Sequence, residues 1–151
     1  MIAPRLKELL DQNGVSYHRI SHPDTYHAHS TATATHVPSR QFAKTVIVKA
    51  DKRLCMVVLP ASDRIHLQDL RAGIGAHALE LATEREIRDV ISDCEVGAMP
   101  PFGDFYGMEV FVSPHLREDE DIVFNGGTHN EAVRMHYRDY ERLAHPNPMR
   151  M

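Results

Sequence analysis

Phe42-Ala43-Lys44-Thr45-Val46-Ile47-Val48-Lys49-Ala50 reads as a buried β-strand, because β-branched residues run together from Thr45 to Val48 over a strand-like length. Asp51-Lys52 makes a polar turn into a second apolar run, Leu54 to Leu59, so the two runs form a β-hairpin that Pro60 closes. Upstream, Leu6, Leu9 and Leu10 share one face of a helix from Pro4 to Asn13, opened by Pro4 and stopped by Gly14. Val15 to Ile20 alternates as a strand, and Ser30 to His36 predicts a short helix of small residues closed by Pro38. Downstream, Ile65 to Arg71 predicts a helix and Ala78 to Leu81 a short strand. Thr83-Glu84-Arg85-Glu86 is a capping box that opens a helix reaching Val90. Glu109 to Ser113 and Asp121 to Asn125 read as strands around an acidic loop at 118–121. Gly126-Gly127-Thr128-His129 reads as a tight turn and Ala132 to His136 as the strand after it. Tyr137 to Leu143 closes the fold as a helix with Tyr140 and Leu143 inward, and the tail from His145 to Met151, with its prolines, reads as frayed. Helices at the ends and on one side, with strands in hairpin-like groups, predict an α+β domain. Its sheet is expected to be mixed, mostly antiparallel and curled toward a barrel, with flanking helices.

The 151 residues suit one domain, 1–151, with its core at about 5–143. Apolar residues at 42% and charged residues at 25% fit a soluble globular chain. The net charge of −4, without a long run of either sign, argues against a general nucleic-acid coat but leaves room for a local basic pocket holding one nucleic-acid end. No apolar run approaches the ~18–20 residues of a membrane helix, and Met1 to Arg5 lacks the apolar core of a signal peptide. Cys55 and Cys94 form no C-x-x-C pair, so no disulfide framework is expected; Cys55 reads as a small core residue and the cytoplasm as the location.

Three elements carry chemistry. Lys44 places a cation where an apolar strand begins. Either its stem packs while the head reaches water, or its ammonium sits at the rim of a pocket, ready for a phosphate or a carbonyl oxygen. The loop Val96-Gly97-Ala98-Met99-Pro100-Pro101-Phe102-Gly103 combines glycine, which lets a backbone approach a ligand, with paired prolines, which hold amides in fixed directions. It reads as an oxyanion-binding loop or as a structural turn. His129, beside Gly126 and Gly127, reads as a substrate-contacting or an exposed turn histidine. His22, His27, His29 and His36 crowd the segment 22–36, but no carboxylate or cysteine stands at metal-ligand spacing and no H-E-x-x-H occurs. Neither metal nor cofactor is expected.

Ala43-Lys44-Thr45 at a strand opening, Gly97-x-x-x-Pro101, and Phe124-Asn125-Gly126-Gly127-Thr128-His129 at the end of an apolar strand resemble, in this order, the YbaK/prolyl-tRNA-synthetase-associated domain. The run-up His36-Val37-Pro38-Ser39-Arg40-Gln41-Phe42 fits as well, and the resemblance extends from about Leu6 to Leu143. It implies a free-standing editing domain that hydrolyses the ester of a mischarged aminoacyl-tRNA in trans, with a small amino acid such as alanine or cysteine on tRNA(Pro), or a related pair, as substrate. By this likeness Lys44 meets the tRNA 3′ end, and Gly97 and Pro101 position the aminoacyl group. Thr45, Phe42, Ala98, Met99, Gly127 and His129 line the substrate. The implied partners are the 3′ end of aminoacyl-tRNA and a synthetase such as prolyl-tRNA synthetase, with no membrane.

The chemistry is compatible. An aminoacyl ester is already activated, so the site needs orientation, a placed water and a stabilised oxyanion more than a strong nucleophile. Lys44 then acts by its charge. Two rival readings stand beside it: a non-catalytic module of the same fold that binds aminoacyl-tRNA or a synthetase through Lys44 and the loop, and a metal-dependent hydrolase built on the histidines of 22–36.

Overall fold

The computed structural model describes residues 2–150. Its elements in chain order are α1 (Pro4–Gln12), β1 (Tyr17–Ser21), α2 (Ala28–Ala34), β2 (Ala43–Ala50), β3 (Arg53–Pro60), α3 (Leu67–Ile74), β4 (Leu79–Leu81) and α4 (Glu84–Val90). A 3-10 turn (Gly103–Tyr106) follows, then β5 (Glu109–Val112), α5 (Pro114–Arg117), β6 (Asp121–Thr128), β7 (Glu131–His136), α6 (Tyr137–Ala144) and β8 (Asn147–Pro148).

The β2–β3 hairpin forms as the sequence predicts, with antiparallel register from Ala43 opposite Pro60 to Ala50 opposite Arg53. Asp51 and Lys52 both take positive φ, at 48° and 72°, the handedness that matches strand twist in a two-residue hairpin turn. The Asp51 carboxylate also accepts the N–H groups of His77 and Ala78, which docks β4 beside β2. The capping box at Thr83 and Glu86 is present as predicted.

The strands form two sheets, β4-β2-β3-β5-β8 and β1-β7-β6. The pairings are antiparallel except β3 with β5 and β5 with β8, so the mixed, mostly antiparallel α+β architecture holds. Among the described residues a closed barrel is not formed. Among the described residues the sheets are joined by one isolated parallel bridge, Phe42 to Val123, beside a turn in which Pro38 C=O accepts the N–H groups of Gln41 and Phe42.

Alternation along β2 sends Ala43 and Ile47 into the main core between the sheets, with Leu6, Leu10, Phe102, Phe124 and Tyr140, and sends Val48 and Ala50 toward Leu70 of α3. A third apolar cluster, Ala32, Val37, Phe42, Val123 and Ala132, packs α2 against the outer face of the smaller sheet.

The structure corrects three sequence expectations. Gly126 and Gly127 lie inside β6, whose register breaks between Asn125 and Thr128, and the chain reverses around His129 and Asn130 instead. The cause is at the other end of the chain: Ala3 N–H donates to Gly126 C=O at 2.7 Å, and a Cβ on Gly126 would stand 2.7 Å from Ile2 Cγ2. From His145 to Arg150 the tail is not frayed, and Met151 lies outside the described residues. β8 pairs with β5, Met149 is 4% exposed in the α3-side core, and Arg150 N–H reaches Gly73 C=O. Helix α5, capped by Ser113, lies where only the lead-in to an acidic loop was expected. Among the described residues no helix is long and apolar enough to cross a membrane.

Candidate functional site

β6 links the predicted site residues. At Val123 it bridges to Phe42, immediately before Lys44's strand, and at Gly127 its carbonyl accepts Glu95 N–H at 2.8 Å, just ahead of the Gly97 loop. Four residues of strand span about 13 Å.

Lys44 is half-buried opposite Leu59, on the face of β2 shared with Val46 and Val48. Its ammonium donates to the Asp63 carbonyl. Burial pushes its pKa below the usual lysine range, and the nearby Asp63 charge restores only part of the loss. The Asp63 carboxylate lies 3.2 Å from His115 Nδ1, beside a cavity of about 350 Å³ that Arg40, Ser62 and Glu118 also line. Thr45, the next residue, turns to the opposite face with Ala43 and Ile47.

Gly97 takes φ +86°, a conformation that L side chains rarely adopt, and a Cβ there would lie 3.5 Å from His129 Cε1. The N–H groups of Gly97 and Met99 have no acceptor among the described residues, whereas Ala98 N–H is held by Glu95 C=O. Pro101 is fixed through its carbonyl, which accepts the Tyr140 hydroxyl at 2.9 Å. Burial raises the Tyr140 pKa well above the ordinary phenol value, so this hydroxyl stays a donor. Tyr140→Phe leaves the Pro101 carbonyl unpaired in the core. A loss of about 1–2 kcal/mol in urea unfolding is expected, together with a weaker loop, read as faster amide exchange at 97–99.

Ahead of the loop, Asp93 accepts from Arg5 at 3.0 Å and from the Tyr106 hydroxyl at 2.8 Å, while the Arg5 guanidinium lies over the Phe105 and Tyr106 rings. Burial pushes the neighbouring Cys94 thiol up to about 11, so it carries little thiolate at neutral pH.

His129 is not an exposed turn residue: it is 8% exposed. Its ring nitrogens lie 2.8 Å from Val96 C=O and 3.1 Å from Thr25 C=O, its backbone N–H donates to Glu95 Oε1, and the Tyr26 ring packs on it at 4.6 Å. Gly97, Gly127 and His129 are thus brought together around Glu95 and Val96. Three other predicted contacts prove to be packing residues. Phe42 is fully buried under α2, Ala98 is fully buried, and the Met99 side chain packs in the main core, so none of these side chains lines an open surface. Glu95, Tyr26, Asp63 and Tyr140 complete the arrangement. Of these, only Glu95 has a sequence cue, its place just before the glycine-proline loop.

Among the described residues no group of three or more His, Cys, Asp or Glu side chains is arranged to hold a metal ion. The histidines of 22–36 make local bonds instead, His22 Nδ1 to Pro23 C=O and His29 Nδ1 with the Ser39 hydroxyl. A larger cavity of about 600 Å³, lined by Arg117, Glu120, His136 and Arg138 among others, contains none of the predicted site residues.

The family model described as an aminoacyl-tRNA editing domain matches residues 22–143. The chain is 27% identical over 147 residues to the "Multifunctional Ser/Thr-tRNA deacylase ProXp-y" of Escherichia coli (strain K12), covering 94% of this chain and 87% of that protein. It is 24% identical over 100 residues to the proline–tRNA ligase of Bacillus cytotoxicus, covering 66% of this chain but 18% of the ligase. Among solved structures, a protein described as a candidate trans-editing enzyme for prolyl tRNA synthetase superposes with a TM-score of 0.83 at 20% identity, covering 99% of this chain and 96% of the other.

Proposed function

The chain belongs to the aminoacyl-tRNA editing domain family, and from that premise we propose that it is a trans-acting deacylase, one editing domain over 1–151, that hydrolyses the ester of a mischarged aminoacyl-tRNA. The observation that supports this best is the course of β6, which carries the opening of Lys44's strand at Val123 and the Gly97–His129 cluster at its other end.

In this reading the Lys44 ammonium takes the phosphate or ribose of the tRNA 3′ end. The unengaged N–H groups of Gly97 and Met99 take the developing oxyanion while water attacks the ester carbonyl. Pro101, locked by Tyr140, and His129, bonded to Val96, hold those amides in place. Rigid donors aimed at developing charge are what an already activated ester requires.

The amino acid is small. Serine and threonine come first, because the Escherichia coli relative is named for them; alanine and cysteine on tRNA(Pro) come next. The matching segment inside proline–tRNA ligases supports a synthetase, prolyl-tRNA synthetase among them, as the source of the substrate. The test is hydrolysis of seryl-, threonyl-, alanyl-, cysteinyl- and prolyl-tRNA(Pro) with a chelator present. Release of a small non-cognate amino acid, with prolyl-tRNA spared, is expected. Binding without release from any of them would make the protein a non-catalytic module, and release that stops with chelator would overturn the Lys44 site.

A further inference from the structure

Two buried acceptors are left without donors among the described residues, on or beside the smaller sheet: His22 Nε2 and Asn125 Oδ1. Asn125 lies on β6 midway between Val123 and Gly127. It pairs across the sheet with Ala132, which pairs with Ile20, so the three form one row on the face that α2 covers. His22 follows two residues after Ile20, 8% exposed and tied to the sheet by its N–H to Asn130 C=O. Two strand spacings, about 10 Å, separate β6 from β1; His22, one residue past β1, lies two positions along from the row, level with Asn130.

No donor among the described residues serves Nε2 of His22. Its Nδ1–H donates to Pro23 C=O at 2.8 Å, which leaves Nε2 of the neutral ring as the acceptor. The nearby hydroxyls are committed: Thr31 donates to His27 C=O, so the proton between Thr25 and Thr31 belongs to Thr25. Leaving a buried acceptor unpaired is costly, and native folds seldom keep one without a use.

We propose that Asn125 and His22 read the aminoacyl group, accepting hydrogen bonds from its α-ammonium and from a side-chain hydroxyl. A seryl or threonyl ester supplies both donors and an alanyl ester only the ammonium. The pair therefore selects hydroxylated amino acids, and by a wide margin, since a buried polar group left unpaired penalises the analogue that lacks its partner. This inference rests on the deacylase reading for its site but not for its test.

The experiment measures kcat/KM for seryl- and alanyl-tRNA, and also the affinity of non-hydrolysable amide-linked seryl- and alanyl-adenosine by calorimetry, for the native protein, Asn125→Leu and His22→Phe. The native protein is expected to favour serine by about 100-fold. One variant should lower the serine-to-alanine ratio at least tenfold, and the other should weaken both substrates at least tenfold. Because an unpaired acceptor is removed, Tm should stay level or rise in Asn125→Leu. Native ratios and rates in both variants, or a Tm in Asn125→Leu several degrees lower, would overturn the proposal by showing acceptors that are irrelevant or already bonded. Selective binding of the seryl analogue without hydrolysis would retire the deacylase reading and leave this inference standing. Equal binding of both analogues would end it.

Discussion

Lys44→Met is expected to lower hydrolysis of the mischarged ester by about 10²–10³-fold while leaving the protein at least as stable as before, as read by kcat/KM and by urea unfolding. Methionine keeps most of the packed stem and removes the charge. In the native fold that charge is partly withdrawn from water, and its hydrogen bond is to the Asp63 carbonyl. Burial lowers its pKa and Asp63 compensates incompletely, so the ammonium is held against a desolvation cost, a common signature of a group kept for its task. Two opposite pH trends follow. Activity above the protein-free background should fall as pH rises through the lowered Lys44 pKa, below the range of an ordinary lysine, because the cation is lost. Stability should rise over the same window: between the folded and unfolded pKa values the unfolded chain binds more protons, so the penalty present at lower pH is relieved. Both trends should vanish in Lys44→Met. A variant that keeps native activity would remove Lys44 from the site.

The β2–β3 hairpin was legible because its signals are local: apolar runs of strand length, a polar two-residue turn, and a proline to close. The main errors came from long-range causes. Gly126 and Gly127 look like a turn in sequence, and only the crossing of Ile2 and Ala3 explains two glycines inside a strand. The tail looks frayed until Met149 is seen to fill the core under α3. Curling of the strands was anticipated, but among the described residues the two sheets are bridged only at Phe42 and Val123 and do not close. In the site, Gly97, Pro101 and His129 were legible as residue types with distinctive backbone or protonation properties. Tyr140, which holds Pro101, and Asp63, which holds Lys44, were not, since each contributes one group from a distant segment with no spacing to announce it; Glu95 had only its place before the loop as a cue. Phe42 and Met99 show the converse. An apolar side chain beside a motif serves a pocket or a core equally well by sequence, and burial decides for the core.

His129→Leu is expected to destabilise the fold by roughly 2–3 kcal/mol and to cost more activity than that loss of stability explains. Leucine preserves apolar volume and the backbone N–H to Glu95, so the change isolates the ring. Lost with the ring are its contacts with the Val96 and Thr25 carbonyls and its packing against Tyr26, which is otherwise 68% exposed. His129→Gln restores one donor, and rescue by it would mark the Val96 contact as the one that matters for the loop. The activity loss follows from geometry: Val96 immediately precedes Gly97, whose left-handed backbone packs against the ring, so freeing Val96 releases the amides of Gly97 and Met99 from their fixed direction. Amide exchange should then quicken at 97–99 while β2 stays protected. If His129→Leu matched the native protein in stability and in exchange at the loop, the ring would not be what holds the oxyanion-binding amides, and the loop's order would have to come from Pro101 and Tyr140 alone.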